Sequence, residues 1–129
     1  MKPTSEVYEE LAGKVESKLT LSGPLAEDVA DAISRFLPES PAGVAVKAAD
    51  LASTDYVLHL IDRVMPGWTI HLRGKAIEPD GHWQCSLRPT DARDEAEFIG
   101  HASGPDLSNS LVGALLRVLA YETRRAASS

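Results

Sequence analysis

The chain has 129 residues, 43% of them apolar and 25% charged, with a formal net charge of −6. That is room for one domain with a real core, and an acidic chain lacks the counterion release that drives general nucleic-acid affinity. Its single cysteine, Cys85, excludes an intrachain disulfide and a thiolate-rich zinc site.

Residues 1–40 predict a helical hairpin packed on, or swapped onto, the main domain. Thr4 and Ser5 suit a helix start, and Val7, Leu11, Val15 and Leu19 recur at helical spacing. Gly23-Pro24 opens a second helix, whose stripe is Leu25, Val29, Ile33 and Phe36. Pro38 ends it, and residues 41–52 read as a connector. No apolar run approaches the roughly 20 residues that span a bilayer. The opening MKPTSEVYEE is too polar for a secretory signal. A cytoplasmic location and no membrane partner are therefore expected.

Residues 53–123 predict an α-β-β-β-α unit, so the fold class is α+β: a helix, a three-stranded antiparallel meander and a helix, with the N-terminal hairpin added. Ser53-Thr54-Asp55 offers three capping residues before Val57, Leu60, Ile61 and Val64. Pro66-Gly67 breaks that helix. From Trp68 the period becomes two: Trp68, Ile70 and Leu72 on one side, Thr69, His71 and Arg73 on the other. His82 to Arg88 alternates likewise, with Trp83, Cys85 and Leu87 opposed to Gln84, Ser86 and Arg88. A third strand is read at about Ala96 to Ala102, its face left open by the adjacent Phe98 and Ile99. Ser103-Gly104-Pro105-Asp106 then starts a helix with the stripe Leu107, Leu111, Leu115, Val118 and Leu119. Residues 124–129 read as a frayed tail. The expected core joins Trp68, Ile70, Leu72, Trp83, Cys85 and Leu87 to the apolar faces of the two flanking helices.

The order and spacing of Ser53-Thr54-Asp55, Pro66-Gly67-Trp68, Trp83-Gln84-Cys85 and the segment from Gly100 to Leu119 resemble the phage ABA-sandwich domain family. The run Leu11 to Glu16 with Gly23-Pro24-Leu25 is similar to its lead segment. One departure is the polar opening of the last helix, Asp106-Leu107-Ser108-Asn109-Ser110. The resemblance implies a phage or prophage origin and a sheet between or beneath helices. It carries no catalytic residue with it.

The chemistry-bearing residues have plain alternatives. His71, His82 and His101 lie in the sheet region without the carboxylate-histidine spacing of a metal site. His59, near Asp62 and Arg63, reads as surface. Cys85 alternates with Trp83 and Leu87 and points to core. Asp91, Asp94, Glu95 and Glu97 form an acidic loop without the ligand order of a calcium loop. The turn from Gly100 to Pro105 precedes a helix, but Asp106 opposes phosphate there.

No catalytic residue, cofactor or metal ligand is assigned, and an enzyme would need a pocket lined by His71, His101 and Arg88. The candidate binding residues are His71, Arg73, Arg88 and His101, on the wet face of the sheet, with Lys75 and Arg93 near it. The favoured expectation is a non-enzymatic prophage-type accessory or assembly protein, its partner a second copy of the chain or another protein. The alternative is a nucleic-acid-binding module with the strand order of double-stranded-RNA-binding domains. Nucleic acid is the less expected partner, because Asp106 stands where those domains place basic residues and both tryptophans point away from the wet face.

Overall fold

The computed structural model describes residues 4–17, 21–36, 46–65, 67–74, 83–89, 100–104 and 106–128. Helix α1 spans Ser5–Glu16, and the Thr4 side chain accepts from the Val7 N–H at its start. Helix α2, Gly23–Phe36, begins on Gly23 at φ +62°, a backbone angle that glycine adopts freely. A 3₁₀ turn, Ala48–Ala52, leads into α3, Thr54–Val64. Ser53 caps α3, its hydroxyl accepting from the Tyr56 N–H at 3.3 Å. Gly67, at φ +83°, turns the chain into the sheet.

Strands β1 (Trp68–Gly74), β2 (Trp83–Pro89) and β3 (Gly100–Gly104) form an antiparallel meander in the order β1-β2-β3. The α+β class and the meander thus stand as the sequence predicts. Helix α4, Leu107–Ser128, follows. It continues to Ser128, within the residues read as a frayed tail. Its polar opening is buried but bonded. Asp106 accepts from the Asn109 N–H, and the Ser108 hydroxyl donates to the Ala52 carbonyl and lies 2.7 Å from Thr54 Oγ1. The helix start is thereby tied to the start of α3, which is why polar residues stand where an alanine-rich entry would have no such anchor.

The layers follow from one helix. Every residue from 108 to 116 is buried, so α4 is central rather than amphipathic. One side meets β2 and β3, and α1 lies along another. The principal neighbour of α1 is therefore α4, not the α2 of the expected hairpin. Gly113 lets these two helices approach, since a Cβ there would stand 3.2 Å from Glu16 Cγ, tighter than ordinary contact. Helix α2 joins through Tyr8, whose hydroxyl donates to the Ala32 carbonyl at 3.0 Å. All these elements share one apolar cluster.

The roof over the sheet is displaced from the expected position. By register, Trp68, Ile70, Leu72, Trp83, Cys85, Leu87, Gly100 and Ala102 share the helix side. Cys85, Leu87 and Ala102 are buried, and Trp68 and Ile70 are half-buried. Leu72 and Trp83, expected in the core, are 39% and 37% exposed. The cause is β3. A Cβ on Gly100 would stand 2.5 Å from the Ala114 carbonyl oxygen. Small residues on β3 draw α4 toward that edge, leaving β1 with β2 as its principal neighbour. The third strand also runs later than expected, through Ser103 and Gly104. Its expected beginning, Ala96 to Ile99, lies outside the described residues.

Candidate functional site

The polar face is built by strand alternation. The register aligns His71, Ser86 and His101 in one row across the three strands, with Arg73, Gln84 and Ser103 in the next and Thr69 and Arg88 beyond. All four expected residues, His71, Arg73, Arg88 and His101, therefore lie on one side of the sheet. His71, Arg73 and His101 are exposed, and Arg88 is half-buried. Lys75, His82, Arg93 and the acidic residues Asp91, Asp94, Glu95 and Glu97 lie outside the described residues.

The two histidines do not meet. They stand two strands apart, roughly 10 Å at the backbone, with Ser86 between them. Ser86 Oγ lies 3.0 Å from His101 Nδ1. Among the described residues no group of three or more His, Cys, Asp or Glu is placed to hold a metal.

A shallow hollow of about 410 Å³ opens beside this row, lined by Glu16, Gln84, Cys85, Ser86, His101, Ala102 and Ser103. Of the three residues expected to line a pocket, His101 alone contributes. The Ser86–His101 contact has two parts of a hydrolytic triad, but the carboxylate in the same hollow is engaged elsewhere. Glu16 Oε2 accepts from the Ser103 N–H at 3.0 Å, and Oε1 pairs with Arg117. Nor does Cys85 supply a nucleophile. Its side chain is buried, and burial pushes the thiol up to about 12, so it stays protonated at neutral pH.

Sequence reasoning missed the treatment of the sheet edges. The Ser103 N–H donates to Glu16, and Arg117 Nη1 donates to the His101 carbonyl at 2.7 Å. A carboxylate and a guanidinium thus occupy one outer N–H and one outer carbonyl of β3, as a neighbouring strand would. No signal in the sequence announced it, because Glu16, His101 and Arg117 lie far apart in the chain.

That clamp fixes the phase of the whole sheet. If His101 and Ser103 point their main-chain groups outward, Ser86 points toward β1 and His71 toward β2, by the alternation of antiparallel ladders. The outer edge of β1 then belongs to Trp68, Ile70, Leu72 and Gly74. The Trp68 N–H, bonded to the Met65 carbonyl off the sheet, agrees with this phase. The second half of β1, residues 71–74, is exposed. Leu72 stands on this edge, and Trp83 lies beside it, over Gly74, where an added Cβ would be 2.7 Å from the indole ring.

Comparison with known protein families, curated proteins and solved structures finds no match to this chain. Among the described residues no helix is long and apolar enough to cross a membrane.

Proposed function

We propose that this chain is a non-enzymatic accessory or assembly protein, of the prophage type that its sequence resembles, acting through protein–protein contacts. The observation that carries this reading is the unequal treatment of the two sheet edges. The β3 edge is occupied by Glu16 and Arg117. The β1 edge carries an exposed strand half beside exposed Leu72 and Trp83. Among the described residues no strand pairs with this edge, and an exposed edge with apolar side chains next to it is a strand-pairing surface that natural proteins blunt when they have no use for it.

Photocrosslinking in cells expressing the full chain tests this. A photoreactive residue at Trp83 is expected to give a discrete protein adduct that the same probe at Glu27, exposed on α2, does not give. Leu72→Lys in the same chain should abolish it. Identical adduct patterns at positions 83 and 27 would overturn the reading.

A further inference from the structure

We infer that the β1 edge pairs with the β1 edge of a second copy, antiparallel and in one register, joining two three-stranded sheets into one of six strands. This rests on the protein-contact reading above and names the partner.

The argument starts from the phase of the ladder. The outward main-chain groups of β1 are those of residues 68, 70, 72 and 74, set by the clamp on β3 and the register through β2. A two-fold axis relating two antiparallel copies must pair outward residues with outward residues. Axes at Ile70, His71 and Leu72 all satisfy this. Only the axis at His71 overlaps the whole strand, because His71 is the midpoint of Trp68–Gly74; the Trp68 N–H stays with the Met65 carbonyl, so each end pair keeps one ladder bond, from the Gly74 N–H. In that register Ile70 exchanges main-chain bonds with Leu72 of the second copy, and Leu72 with its Ile70.

The side chains fit the same axis. On the helix side, Ile70 of each copy stands directly opposite Leu72 of the other, an aliphatic cross-strand pair. Trp68 of each copy stands opposite Gly74 of the other, where the Trp83 ring already fills the space over the glycine, so the two indoles come together. The contact covers the two large sheet residues that the displaced helix layer leaves exposed, Leu72 and Trp83. On the polar side Thr69 faces Arg73, and neither pair opposes like charges. His71 faces its own copy across the axis. The displaced roof and the exposed half of the edge strand thus have one common explanation, an interface completed by symmetry.

The contact is smaller than a standard interface, so a dissociation constant on the order of micromolar is expected. Cysteine trapping reads the register directly. The His71 pair flanks no ladder hydrogen bond and its Cα atoms stand about 4.5 Å apart, within the range a disulfide bridges. His71→Cys at roughly 100 μM chain, with oxidised glutathione, should give an interchain disulfide dimer. Thr69→Cys and Arg73→Cys should each fail alone and cross-link when mixed. The buried, protonated Cys85 leaves the wild-type chain as a clean control.

Light scattering of the wild-type chain across concentration should show a dimer. Leu72→Pro, which removes an outward N–H that no ladder bond uses, and Leu72→Lys, which keeps the backbone, should each weaken it by tenfold or more. Circular dichroism checks that both variants fold. A monomer throughout, with no His71→Cys dimer, would overturn self-pairing. If the Trp83 probe nevertheless captures a different protein at this edge, the protein-contact reading survives and the second copy does not. If it captures none, both fall. Cross-linking of all three cysteine variants alone would overturn the register.

Discussion

Cys85 and Tyr8 show how burial of single residues sets the response of the fold to alkali. Burial raises the Cys85 thiol from 9.0 to about 12 and the Tyr8 phenol from 10.0 to about 12. In the unfolded chain both groups ionise near their ordinary values. Between pH 9 and 12 the native thiol keeps a proton that the unfolded chain has lost, so native stability falls as pH rises. The thiol alone contributes a slope of about 1.4 kcal/mol per pH unit in that window, and the phenol adds a similar slope above pH 10. Below pH 9 neither contributes. Urea titrations at intervals from pH 7 upward are expected to show a plateau and then a decline. Cys85→Ala should lower the plateau by about 1 kcal/mol, through the small cavity it leaves, and make the decline shallower. Parallel declines for the two proteins would mean that the thiol is not the group responsible.

At the scale of elements, the decisive feature is the clamp that Glu16 and Arg117 place on β3. It joins the end of α1 and the middle of α4 to the edge strand, and Arg117 also approaches Glu9 at 3.8 Å, with Arg124 3.6 Å from the same residue. Glu16→Ala leaves the Ser103 N–H without its protein acceptor and Arg117 without its nearest carboxylate. A loss of about 1–2 kcal/mol is expected, together with concentration-dependent association through the newly bare edge. Adding Leu72→Lys should not suppress that association, because it arises at the opposite edge of the sheet. Light scattering on the single and double variants separates the two edges, and unchanged mass for Glu16→Ala would show that the clamp does not protect β3. The alternation of Trp68 to Arg73 and of Trp83 to Arg88 made the two faces legible in the sequence, and with them the side on which His71, Arg73 and Arg88 lie; the side of His101 was not, because the adjacent Phe98 and Ile99 leave the phase of the third strand open. Coverage was not legible. Whether Leu72 is roofed depends on how closely α4 approaches Gly100, and that follows from packing geometry between segments remote in sequence. The stripe Leu107, Leu111, Leu115, Val118 and Leu119 was visible, but Val112, Leu116 and Ala120, also buried, mark a second apolar side that a single-stripe reading passes over.

That second side decides how the whole molecule holds together. The sequence suggests a self-contained unit at residues 53–123 with a hairpin beside it. In the structure Tyr8, Leu11, Val15, Val29 and Ile33 are buried in the same cluster as the central helix and the sheet. Removing the first two helices would expose the α1-facing side of α4, including the neighbourhood of Gly113, where Ala12 and Glu16 approach. At about 2 kcal/mol for each of these five side chains, the loss is on the order of 10 kcal/mol, as large as the stability of an ordinary domain. A chain starting at Val46 is therefore expected to lose cooperative unfolding and to bind a dye specific for exposed apolar surface, with helical signal partly retained. Because the β1 edge borders none of these five side chains, adding residues 1–36 as a separate peptide should restore the cooperative transition without competing for that edge. A truncated chain with a sharp thermal transition and no dye binding would show that the sheet and its two flanking helices are sufficient, and that α1 and α2 are an attachment rather than part of the core.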